Sequence, residues 1–119
     1  MKQPDGERRR YARWLVDGHV VGRIRGTDTV ALLDLSLGGA QIEHATLIRP
    51  GALSFLTLES QGQTVTLKCR VVRSTVHRYE IAASGERELI YHTGLRFLDT
   101  SEETQRLISA YIESLKGDG

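Results

Sequence analysis

Apolar and polar positions alternate most clearly in the middle of the chain. Across residues 63–75, Val65, Leu67, Cys69 and Val71 fall on one side of an extended backbone while Thr66, Lys68 and Arg70 fall on the other. A period of two is the mark of a half-buried strand. Gln61-Gly62 joins this strand to another over residues 52–59 as a hairpin. Upstream, residues 15–24 are rich in valine and isoleucine, and Gly18 and Gly22 point to a bend or bulge. A turn at Gly26-Thr27-Asp28 leads into a strand over residues 29–37, which Gly38-Gly39 interrupts and residues 40–43 resume. Arg49-Pro50-Gly51 is a further turn signal. Residues 79–83 and 88–98 predict another hairpin around Ser84-Gly85-Glu86-Arg87. At the end the period changes. Leu107, Ile108, Tyr111, Ile112 and Leu115 make one helical stripe, with Thr100 and Glu103 spaced as a capping box. Many consecutive strands and one amphipathic helix predict a mainly β fold, a closed or nearly closed antiparallel barrel with the helix packed on it.

Composition sets bounds on this picture. The 119 residues suit one domain, and 39% apolar with 26% charged residues is the balance of a globular fold. No apolar run approaches the length of a bilayer span and no signal-peptide pattern opens the chain, so the expectation is a cytoplasmic protein without membrane insertion. Cys69 stands alone and has no internal disulfide partner, which suits a reducing compartment. The net charge is only +1, yet residues 1–25 carry seven basic against three acidic side chains, and residues 99–119 carry two against five. A basic end on a near-neutral chain suggests a local anion site. It does not suggest a surface for DNA or RNA, against which the scarcity of aromatic residues also counts.

Two clusters carry candidate chemistry. The first is Arg8-Arg9-Arg10-Tyr11-Ala12-Arg13. Guanidinium groups are planar and always charged, donate paired hydrogen bonds to phosphate or to the O6/N7 edge of guanine, and stack on bases. By itself the run fits either such a ligand or a solvated basic stretch. The second cluster is Asp34-Leu35-Ser36-Leu37-Gly38-Gly39. Alternation puts Asp34 and Ser36 on one face and Leu33, Leu35 and Leu37 on the other, inside the barrel. A carboxylate accepts from guanine N1–H and N2–H₂, a serine hydroxyl satisfies a neighbouring base or phosphate atom, and Gly39 permits positive φ or the close approach of a flat ring. By itself this segment also fits an ordinary strand ending in a glycine turn.

Taken together, the clusters resemble the signature of the PilZ domain family, Arg-x-x-x-Arg followed by Asp/Asn-x-Ser-x-x-Gly. Arg9 and Arg13 match the first element, and Asp34, Ser36 and Gly39 match the second. Gly94-Leu95-Arg96-Phe97-Leu98 followed by a helix resembles the family's usual ending, so the likeness runs from about Glu7 to Leu115. The resemblance implies a six-stranded antiparallel barrel over residues 8–115, with tails at 1–7 and 116–119. It also implies a site for cyclic di-GMP on the outer surface, made by Arg8, Arg9, Arg10, Arg13, Asp34, Ser36, Gly38 and Gly39, and signalling to an unidentified downstream protein. One departure is Trp14 after the second arginine, which fits either a plug for the barrel mouth, the favoured reading for a large aromatic, or a stacking surface for a base.

Other signals are set aside. His19, His44, His77, His92 and Cys69 lack the close pairing of a zinc site, so no metal and no cofactor is expected. The chain holds neither a nucleophile elbow nor a phosphate-cradling loop, and the expectation is a protein that is not an enzyme. Arg70, Arg73 and Arg78 are expected to be solvated charges on outward strand faces. The alternative reading is a nucleotide-independent interaction protein on the same barrel, acting in motility or pilus assembly through the helix stripe or a strand edge.

Overall fold

The computed structural model describes residues 14–15, 20–25 and 28–117. Among these described residues, seven strands and one helix follow in order: β1 Trp14–Leu15, β2 Val21–Ile24, β3 Asp28–Leu35, β4 Gly39–His44, β5 Leu53–Ser60, β6 Gln63–Ile81, β7 Arg87–Phe97 and α1 Glu102–Gly117. Every pairing is antiparallel, and β3 pairs with β4 as well as with β2. The sheet therefore closes on itself as β3-β2-β5-β6-β7-β4, a six-stranded ring. β1 and β2 share one edge of β3, with Leu15 opposite Asp34 and Val21 opposite Ala31. The strand expected over residues 15–24, with a bend or bulge, corresponds to β1 and β2, and residues 16–19 lie outside the described residues.

The expected alternation fills the ring. Val65, Leu67, Cys69 and Val71 of β6 are all buried, facing Ile24, Leu32, Ile42, Leu56 and Leu58 in one core. Each fully buried side chain of this size stabilises the fold by about 1.5–3 kcal/mol relative to exposure. Gln61 and Gly62 have φ of 49° and 80°, so the β5–β6 hairpin closes on a two-residue turn with both residues left-handed. The helix packs on β5 and β6 through buried Ile108 and Tyr111, and the Tyr111 hydroxyl donates to the Glu59 carbonyl at 3.1 Å.

Three local expectations need correction. The separate strand at residues 79–83 is the far end of β6, which runs unbroken for 19 residues. Bulges between Val71 and Arg73 and between Val76 and Arg78 disrupt the alternation there without ending the strand. Past the last pairs with β5 and β4, β6 and β7 continue as a two-stranded ribbon with Val76, Tyr79, Ile81 and Leu89 exposed. The helix cap is Ser101 instead of Thr100: its hydroxyl accepts the Thr104 N–H at 3.3 Å, and Asp99 accepts from both Ser101 N–H and the Thr104 hydroxyl. Lastly, β3 carries a bulge between Leu32 and Asp34. Leu33 is the extra residue and is only half-buried, so Leu32 takes the core position expected of it.

Candidate functional site

The β3 bulge decides where Asp34 points. Asp34 is in register with Gln41 of β4, whose neighbours Ala40 and Ile42 are both buried, so Asp34 stands on the outer face of the barrel. It is nevertheless only 5% exposed. On its other side it is in register with Leu15 of β1. Trp14, the first residue of β1, lies opposite Leu35. Arg8, Arg9, Arg10 and Arg13 themselves lie outside the described residues. So does the Trp14 side chain.

Ser36 is committed to the β3–β4 turn. Its Oγ accepts from Gly38 N–H at 3.2 Å and Gly39 N–H at 3.1 Å, and its own N–H donates to the Gly39 carbonyl at 2.9 Å. This is a serine-capped turn, in which a hydroxyl replaces a backbone partner. The Ser36 hydroxyl also donates to the Gly39 carbonyl at 3.3 Å, so its donor and both of its acceptor positions are engaged within the turn. The Gly38 carbonyl accepts from Phe97 N–H at 2.9 Å, which ties the turn to β7. Gly39 is not in the left-handed region. Its requirement is space: a Cβ there would collide with the Leu95 carbonyl oxygen across the β4–β7 pair. The close approach that demands glycine is therefore made by backbone from the neighbouring strand.

Register extends this surface over β7 and β6. One outward row runs Asp34, Gln41, Gly94, Arg73, and the next runs Gly39, Arg96, Arg70. Sequence reading missed Gln41, Gly94 and Arg96 as neighbours of the motif. No spacing signal links them to Asp34, and only the strand register brings them together. Of the arginines expected to be solvated, Arg78 is ion-paired to Glu43 and Glu80 at 3.0 and 2.6 Å, which raises its pKa further, and Arg70 donates to the Gly51 carbonyl at 3.0 Å. Arg73 is exposed.

The remaining candidates are structural. His44 faces inward, where its Nε2 meets the Thr93 hydroxyl, while His92 faces outward, stacked on His77 at 3.8 Å between ring centres. Burial holds both histidines below the usual value, with the neighbouring His77 adding to the effect at His92. Cys69 is fully buried and its thiol is pushed up to about 11. Among the described residues no group of three His, Cys, Asp or Glu side chains is placed to hold a metal ion, and no helix is long and apolar enough to cross a membrane. A cleft between β2, β5 and the end of α1, lined by Gly22, Arg23, Glu59 and Leu115 among others, contains none of the motif residues.

The comparisons agree with this fold. The family model for the PilZ domain matches residues 7–114. The fold is similar to the PilZ domain with c-di-GMP of YcgR from Escherichia coli, at a TM-score of 0.70 and 23% identity over 93% of each chain. It is similar to the K. pneumonia MrkH–c-di-GMP complex at a TM-score of 0.64 and 21% identity, over 92% of this chain and 53% of that one. It is also similar to a longer Escherichia coli YcgR chain in complex with c-di-GMP, at a TM-score of 0.64 and 21% identity, over 93% of this chain and 47% of that one. The chain thus spans about half the length of MrkH and of the longer YcgR. At these identities the likeness is one of fold. A search of curated proteins returned no match.

Proposed function

The chain belongs to the PilZ domain family, and on that footing we propose that it is a receptor for cyclic di-GMP, a binding module without a reaction of its own that passes the signal to a partner protein. One observation carries the reading. A complete signature is present, and its Asp34 stands on the outer face of the barrel across from β1, whose first residue is bonded to Arg13. Arg9 and Arg13 clasp phosphates and guanine edges, with Arg8 and Arg10 assisting. Asp34 accepts from the guanine N1–H and N2–H₂. Ser36 contacts the same base by exchanging one of its turn hydrogen bonds for one to the ligand, and Gly38 and Gly39 keep the turn free of side chains. A carboxylate this covered has to be uncovered before a base reaches it, which supports a rearrangement of the N-terminal segment as the transmitted signal. The single buried thiol supports a cytoplasmic setting.

Calorimetric titration with cyclic di-GMP tests this, with GTP and cyclic AMP as controls. The expected result is selective, saturable binding that Arg9→Ala and Asp34→Ala each weaken at least about tenfold, or about 1.4 kcal/mol. Variants that fold and bind as tightly as the wild type would refute the site. The exposed apolar residues of the β6–β7 ribbon favour a second reading, an interaction protein that needs no nucleotide. Partner binding that is the same with and without cyclic di-GMP would select it.

A further inference from the structure

Glycine in a strand interior ordinarily has a visible reason, such as a left-handed backbone or a neighbour that leaves no room for a side chain. Gly94, in the middle of β7, has neither. Its φ is outside the left-handed region, and a Cβ built on it would meet nothing within 4 Å. It lies on the outer face between buried Thr93 and Leu95, in register with Gln41 on one side and Arg73 on the other. Diagonally across the β4–β7 pair is Gly39, also outward and also without a side chain, in register with Arg96. Together they leave a floor of bare backbone beside the Asp34–Ser36 turn.

The far side of this floor is basic. Arg96 and Arg73 are exposed on β7 and β6, and neither has an ion pair or hydrogen bond to another side chain among the described residues. The nearby acids are engaged elsewhere, Glu43 and Glu80 with Arg78. Three strand spacings separate Asp34 from Arg73, about 14 Å at ~4.8 Å each. That span is filled by Gln41 and Gly94 alone.

We propose that Gly94 is the floor, and Arg73 and Arg96 the far wall, of an extended nucleotide site that begins at Asp34. A flat base rests on the bare backbone of Gly39 and Gly94, and the two guanidinium groups hold the phosphate or guanine edge that lies farthest from Asp34. The ligand class is a guanine-containing dinucleotide with two phosphates, so the inference rests on the cyclic di-GMP reading and adds residues outside its motif.

The test is calorimetric titration of four proteins with cyclic di-GMP: wild type, Arg9→Ala, the double variant Arg73→Ala/Arg96→Ala, and Gly94→Val. Valine is a good strand former and has open space at this position, so the melting temperature of Gly94→Val should match the wild type. Both new variants should weaken binding about tenfold or more, and the double variant should also reduce the dependence of affinity on salt. If Arg9→Ala loses binding while the double variant and Gly94→Val bind like the wild type, the far wall is wrong and the motif site stands. If the wild type itself takes up no ligand, the receptor reading fails and this extension fails with it.

Discussion

His44 and His92 lie on neighbouring strands of the barrel, one turned into the core and the other out of it. Both are held below the ordinary histidine value chiefly by desolvation, which penalises the charged ring. Each stays neutral in the folded protein while the unfolded chain takes up protons near pH 6.5. The stability they contribute is therefore complete above about pH 6.5 and is lost as pH falls toward their lower folded values. An NMR titration should find both apparent pKa values under 6.5, and a melting temperature that drops on acidification from pH 7.5; a value above 6.5 for His44 would contradict its burial. At this scale the motif residues were legible in sequence but their surroundings were not. Asp34 and Gly39 were recognised by type and spacing. That Gly39 makes room for the Leu95 carbonyl depends on a residue 56 positions away, which no local pattern connects to it.

Among the elements, the strands with clean alternation are where expectation and structure agree. The first half of β6 agrees with its period two, and β4 and β5 agree with strands placed between turn signals. Expectation missed where a bulge shifts the pattern by one residue, at Leu33 in β3 and near Val72 and His77 in β6. An extra residue leaves composition unchanged and reverses every facing after it, so propensity cannot register it. The helix offers a parallel case. Thr100-Ser101 provides two candidate caps, and the choice of Ser101 rests on Asp99, which binds both Ser101 N–H and the Thr104 hydroxyl and is itself held below the usual carboxylate range by those bonds. Ser101→Ala should destabilise the protein by about 1 kcal/mol in urea unfolding, whereas Thr100→Ala should stay within about 0.5 kcal/mol. Equal losses from the two would mean that the cap is shared.

The whole barrel closes through two pairings between strands far apart in sequence, which no local pattern predicts: β2 with β5 and β4 with β7. Cys69 reports on that closure. It is fully buried, its Sγ lies 3.5 Å from the Ser54 carbonyl, and burial pushes its thiol up to about 11. A thiol reagent should label it about a thousandfold or more slowly in native buffer than in concentrated urea, the factor expected when access requires opening a fold of about 5 kcal/mol. Comparable rates in the two conditions would mean that the ring opens locally at β5–β6. The chain's own sequence determined the mainly β class, the amphipathic helix and the family signature, because alternation, capping chemistry and motif spacing are written along the backbone. Only the tertiary structure decided that Asp34 is nearly covered, that Ser36 is bound into its own turn, and that Gly94, Arg73 and Arg96 share a face with them. Those facts depend on which strands lie side by side and in what register. That outcome is settled by packing the whole ring at once.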